Sequence, residues 1–203
     1  MAYRDFSLAQ VIKSFDLKEG FANLFPAVKA LSLSAWLKTT LDISLKLAFS
    51  SSSEKARSEF IISPILLELS QKNPDRLAVF SGERLDVDES KGLKGECDFL
   101  LAKGPLSLSL QQPFIAVIEA KRNDIREGLG QCVAQMLGMS EFNQREGFEG
   151  LHYLYGCVTT GEDWQFLRLE PATLSLTLDS QRYYLSNLDQ ILGIFQTIID
   201  EAF

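Results

Sequence analysis

The chain has 203 residues, 46% of them hydrophobic, and a formal net charge of −7. Length and apolar content support one domain with a sizeable core and helical additions at its ends. The acidic balance counts against a surface coated in positive potential for non-specific nucleic-acid binding, leaves room for a local basic groove, and fits a site that gathers carboxylates around a divalent cation. No run of about 18 uncharged apolar residues occurs, so no membrane-spanning helix and no membrane partner are expected. The opening Met1-Ala-Tyr-Arg-Asp-Phe has no basic region, apolar core and small-residue cleavage site in series, and a cytoplasmic location is expected. Cys97, Cys132 and Cys157 are odd in number, widely spread and without zinc-ligand spacing, the pattern of reduced, buried thiols.

Residues 1–50 read as a helical addition. Leu8, Val11, Ile12 and Phe15 share one helix face. From Leu31 to Phe49 the pattern is mixed, and strict alternation over 41–47 leaves a strand open beside a helix. Ser50-Ser-Ser-Ser-Glu54 offers several N-caps and a first-turn acid for the next helix. Pro64 must kink that helix or restart it with Ser63 as a new cap, and Asn73-Pro74 ends it. Strands are expected over 76–84 and 96–102, with a polar connection at 86–95, a turn at Lys103-Gly-Pro and a loop or short strand over 106–112.

Phe114 to Lys121 begins with five apolar residues and reads as a strand buried on both faces. A long helix follows from Asn123-Asp124, where Asp124 and Glu127 have capping-box spacing and Leu129, Cys132, Val133, Met136 and Leu137 form the apolar stripe. Residues 151–159 and 163–170 form a hairpin about Thr160-Gly161-Glu162, 173–178 a further strand, and 187–203 an amphipathic closing helix. The order is that of an α/β protein with a mixed sheet flanked by helices.

Three charges do not suit a simple core. Alternation along the strand turns Glu119 and Lys121 to one face and Ala120 to the other. Asp98 interrupts the apolar run Cys97-Asp-Phe-Leu-Leu. If the two strands pair, Asp98 and Glu119 can face each other at one end of the sheet. Two carboxylates at that range repel, raising one pKa, unless a cation sits between them, and oxygen ligands with several waters suit Mg²⁺ or Mn²⁺. An ammonium beside such an ion can orient an attacking water or balance developing negative charge, the arrangement for hydrolysing a phosphodiester.

Asp98, then Glu119-Ala-Lys121 closing a buried strand, then a helix carrying Gln131, resembles the PD-(D/E)xK nuclease superfamily. The surroundings Gly95-Glu-Cys-Asp-Phe, Ile118-Glu-Ala-Lys and Gly128-Leu-Gly-Gln-Cys-Val-Ala-Gln-Met are similar to bacterial, especially cyanobacterial, restriction-endonuclease-like proteins and to the nuclease domain of type I restriction motor subunits. The likeness covers residues 54–160, and with the closing helix it implies a restriction-endonuclease-like core over 54–203. It implies Asp98, Glu119 and the Ala120 carbonyl as metal ligands, Lys121 as the catalytic lysine, Glu59 as the helix-borne acid at the metal, and Gln131 as the supporting glutamine. Cys97 stands where the superfamily's name has proline. Gln135 stands where some relatives carry tyrosine.

The expected activity is Mg²⁺- or Mn²⁺-dependent, endonuclease-type hydrolysis of DNA, as in restriction or repair; the alternative is a catalytically silent nuclease-fold binding module. RNA as substrate, and a homodimer or larger complex, stay open. Each residue also has a plainer reading. Glu119 and Lys121 are then a strand-end pair worth about 0–1 kcal/mol, Asp98 an edge charge, Glu59 a solvated helix residue and Gln131 a backbone partner. Gly128 and Gly130 admit either the sheet or a phosphate, and the sheet is the expectation. His152, the only histidine, is structural or exposed, and Trp36 and Trp164 are core or partner-facing. Lys91, Lys94, Arg122 and Arg126 are phosphate contacts or ordinary solvated charges.

Overall fold

The computed structural model describes residues 1–107 and 112–203. In chain order it contains α1 (Leu8–Ser14), β1 (Lys18–Ala22), α2 (Ala35–Ser50), α3 (Glu54–Arg57), α4 (Ser63–Lys72), β2 (Leu77–Arg84), β3 (Glu96–Lys103), β4 (Phe114–Ala120), α5 (Arg126–Arg145), β5 (Leu154–Thr159), β6 (Asp163–Glu170), β7 (Ser175–Asp179), β8 (Tyr183–Tyr184) and α6 (Leu188–Glu201). The strands form one mixed sheet in the order β1-β7-β6-β5-β4-β3-β2, with β8 added on β6. β4 and β5 run parallel, as do β1 and β7, and the remaining pairs are antiparallel. This is the expected α/β architecture. Most of the segment expected as a loop or short strand over 106–112 lies outside the described residues.

Helices cover both faces of the sheet. On one, α2, α4 and α6 pack Leu37, Ile65 and Phe195 against Trp164 and Phe166. On the other, α1 and α5 pack Val11, Val133 and Met136 against Phe114 and Val117. All seven residues of β4 are buried, because β4 lies inside the sheet and is covered on both sides. Trp164 is fully buried while Trp36 is 42% exposed. Among the described residues no helix is long and apolar enough to cross a membrane.

The first 50 residues differ from the helical reading. Lys18–Ala22 is an edge strand, parallel to β7, whose Lys-Glu-Gly-Phe-Ala sequence carries no alternating pattern. Residues 41–47 are helical: Leu37, Leu41, Ser44 and Ala48 point inward at helical spacing, leaving Ile43 and Leu47 exposed.

Pro64 neither breaks nor restarts its helix. The run from α3 to α4 continues through a π-helical turn at Ser58–Ile62, in which the Ser63 amide bonds to Ser58 O. Ser63 therefore lies inside the helix rather than capping a second one. Proline has no N–H for the carbonyl four residues back, at Phe60. The Ser44 hydroxyl of α2 donates to that carbonyl instead, at 2.6 Å, which accounts for a buried serine on the inner face of α2.

The capping box expected at Asp124 and Glu127 does not form. α5 begins at Arg126, and the Asp124 carboxylate accepts the Arg126 amide at 2.9 Å. Asp124 thus caps two residues ahead, which removes Glu127 from capping range. The 151–170 hairpin and the closing helix fall where the pattern put them, and His152 is exposed just ahead of β5.

Candidate active site

Asp98 and Glu119 meet because β3 and β4 pair antiparallel, with Phe99 opposite Ile118. One rung further along, both carboxylates stand at the end of the sheet on the α5 face. The Ala120 amide donates to Asp98 Oδ2 at 2.8 Å, and the Lys121 amide to Thr159 O at 2.8 Å, so the chain leaving β4 is tied to both neighbouring strands. Lys121 Nζ lies 2.5 Å from Glu119 Oε1 and 3.3 Å from Gln131 Oε1. One helical turn beyond Gln131, Gln135 Nε2 donates to Glu119 Oε2 at 2.9 Å and to Glu96 O at 3.4 Å. Glu119 is 1% exposed and Gln135 fully buried. The Gln135 Oε1 atom has no hydrogen-bond partner.

α5 reaches this corner because residue 128 has no side chain. A Cβ there would lie 2.6 Å from Val158 Cγ1 and 3.0 Å from Lys121 Cγ and Cε. Gly128 thus serves approach to the sheet and makes room for the lysine stem. Gly130 does something else: its Cβ would strike the main chain of Phe6, Ser7 and Leu8, so it admits the N-terminal segment and not the sheet.

Burial, reinforced by the Asp98 charge, pushes the Glu119 carboxyl up to about 8, against the opposing pull of Lys121 and Gln135. Burial also raises Asp98, partly offset by the Ala120 amide and Lys121. For Lys121, burial favours the neutral amine, but the Glu119 carboxylate outweighs it and the pKa rises. One ammonium faces two carboxyl groups, and the more buried of them, Glu119, keeps its proton up to about pH 8.

Asp98, Glu119, Lys121 and Gln131 line a cavity of about 470 Å³. Glu54 lines it from α3, while Arg4, Arg84 and Lys94 line it from the N-terminal segment, β2 and the loop before β3. Among the described residues no group of three or more His, Cys, Asp or Glu is placed to hold a metal ion. Among the carboxylates that line the cavity, Asp98 and Glu119 lie on paired strands at its end, and Glu54 and Glu96 line it as well. That set suits a hard divalent cation, which keeps several waters and takes one or two carboxylates.

Not every expected residue arrives. Glu59 is exposed, pairs with Lys55 at 3.7 Å and does not line the cavity; Glu54, one turn and a residue earlier on the same helical run, does. Glu59 lies inside the π turn Ser58–Ile62, where the facing of a regular helix does not apply, and Glu54 lies before it. Ala120, expected to offer its carbonyl to the metal, is buried and is not among the residues lining the cavity. Gln135 was legible only as a departure from a pattern, although a glutamine within the apolar stripe Cys132, Val133, Met136, Leu137 is itself a sign of a buried polar partner. Arg4 and Arg84 had no signal in the sequence.

Compared with known proteins, the chain matches no family model, no curated protein and no solved structure.

Proposed function

We propose that the protein is a divalent-cation-dependent nuclease of the PD-(D/E)xK, restriction-endonuclease-like kind, hydrolysing phosphodiester bonds of DNA. The observation that carries this reading is the convergence of Asp98, Glu119 and Lys121 on one cavity from two paired strands. Asp98 and Glu119 would hold Mg²⁺ or Mn²⁺. When bound there, such an ion lowers the pKa of its water and neutralises charge on a phosphoryl oxygen.

The protein's own groups supply the rest. Lys121 lies between Glu119 and Gln131, with its ammonium in reach of both. From its place on the cavity wall it would orient the attacking water and offset charge growing on the phosphate. Gln135 holds the second Glu119 oxygen from below, fixing the carboxylate's plane. The test is cleavage of plasmid and linear DNA with Mg²⁺ or Mn²⁺ by wild type and Lys121→Ala. Loss of at least about 100-fold on substitution is expected, in the range for removing a charge-stabilising group. Equal cleavage by both proteins refutes the assignment.

A second reading, a nuclease-fold binding module without catalysis, draws support from the 2.5 Å Lys121–Glu119 pair, in which the lysine already occupies the side of Glu119 that a cation needs. Calorimetry separates the two: no heat of Mn²⁺ binding at millimolar concentration would favour the module.

A further inference from the structure

The N-terminal segment, residues 1–7, is built into the wall of the cavity. Tyr3 is 1% exposed; its hydroxyl donates to Leu85 O at 2.8 Å and its amide to Lys94 O at 3.0 Å. Four glycines make room for the segment. A Cβ at Gly138 would lie 2.2 Å from the Tyr3 hydroxyl, one at Gly95 3.3 Å from the Tyr3 ring, one at Gly92 3.2 Å from Met1, and one at Gly130 2.2 Å from Phe6 O. Tyr3–Asp5 is a 3₁₀ turn, closed by the Ala2 amide on Asp5 Oδ2 at 2.7 Å, and Ser7 with Gln10 then forms a capping box that starts α1. A segment fitted this closely to α5 and to the loop before β3 is a fixed part of the fold.

Arg4 sits in that turn, between two anchored residues, and lines the cavity that holds Asp98 and Glu119. Its side chain is 85% exposed, and among the described residues its guanidinium reaches only Asp5, at 4.0 Å. The neighbouring cations are more firmly held: Arg84 by Asp86 at 2.9 Å, and Lys94 by Glu89. Exposed pairs of this sort exchange readily for a phosphate, and Arg4 gives up the least in doing so. Its backbone is already ordered, so binding costs little further chain entropy.

Resting on the nuclease reading above, we infer that Arg4 binds a phosphate of the DNA strand next to the phosphate being cleaved, with residues 1–7 as the rigid mount that aims it. Arg4 is a binding residue here and takes no part in the chemical step. Lys94, whose carbonyl is tied to Tyr3, lies on the same wall and shares the phosphate track.

The test compares wild type, Arg4→Ala, Arg4→Lys and Lys46→Ala, the last removing an exposed charge from α2 on the opposite face of the sheet. A fluorescently labelled single-stranded DNA oligonucleotide is titrated at several salt concentrations without divalent cation, and cleavage is followed with Mg²⁺. Arg4→Ala is expected to weaken binding 3- to 10-fold, to reduce the salt slope by about one phosphate contact, and to raise KM with kcat unchanged. Arg4→Lys recovers most of the affinity, and Lys46→Ala matches wild type. If wild type binds and cleaves while Arg4→Ala keeps its KM and salt slope, this inference is overturned and the nuclease reading stands. If wild type neither binds nor cleaves DNA, both fall.

Discussion

Replacing Gly130 by alanine tests the packing on which the site depends. At an ordinary helix position the change stabilises by roughly 1 kcal/mol, since alanine forms helix better than glycine. Here the added Cβ would lie 2.2 Å from Phe6 O, 2.4 Å from Ser7 C and 2.6 Å from Leu8 N, all backbone atoms that cannot rotate away. Ordinary contact begins near 3.4 Å, so the segment entering α1 must retreat by more than an ångström or α5 must shift. Overpacking of this kind costs about 1–3 kcal/mol. Any retreat also strips cover from Tyr3, Phe6 and Val11, all buried now, and fully exposing one such side chain costs about 1.5–3 kcal/mol. Set against the helix gain, a net loss of about 2 kcal/mol is expected, or roughly 4–8 °C in Tm for a chain of this size. Urea denaturation and calorimetry of the two proteins measure it. A Gly130→Ala protein as stable as wild type, or more so, would show that α1 and its leader do not press on α5 as described.

Three other outcomes follow from the corner at the end of β4. Gln135→Ala removes a donor from a buried carboxylate and should weaken Mn²⁺ binding by about 10- to 100-fold, in the range for lost partners of metal ligands; unchanged affinity by calorimetry would make the contact idle. Glu59→Gln should leave cation affinity and cleavage within about 2-fold, as an exposed substitution does, whereas Glu54→Gln, on the cavity wall and within the field of Lys121, should alter both; the reverse pattern would restore the acid expected from the sequence. The pH dependence has a definite sign. Glu119 titrates near 8 when folded and near 4.5 when unfolded, so the cation-free protein has this group's full stability below about 4.5 and loses it as pH rises towards 8. A cation must displace that proton, so Mn²⁺ affinity should fall by up to about tenfold per pH unit below 8. Calorimetry at pH 7 in buffers of different ionisation enthalpy should register close to one proton released. No proton release would refute the raised carboxyl.

Much of the sheet could be read from local pattern. β4 announces itself by an unbroken apolar run, α6 by its stripe and the β5–β6 hairpin by Gly161, because each of these elements buries a face whose periodicity is written in neighbouring residues. β1 could not be read: an exposed edge strand is held by backbone bonds to β7, and its side chains carry no record of that. The face of Glu59 was misjudged because Glu59 lies within a π turn just ahead of Pro64, where regular helical spacing does not hold, and Ser44 from another helix bonds the Phe60 carbonyl there.

The sequence by itself marks 98, 119 and 121 as charges set within or at the end of apolar strands, where burial makes each of them costly without a partner. Their meeting was decided by tertiary structure, through the antiparallel register of β3 on β4, which no local pattern encodes. The same holds for Gln135 against Glu119 and for Arg4 on the cavity wall. Both owe their places to helix and chain packing at glycines, where backbones approach because side chains are missing, and an absent side chain does not say in the sequence what will fill its space.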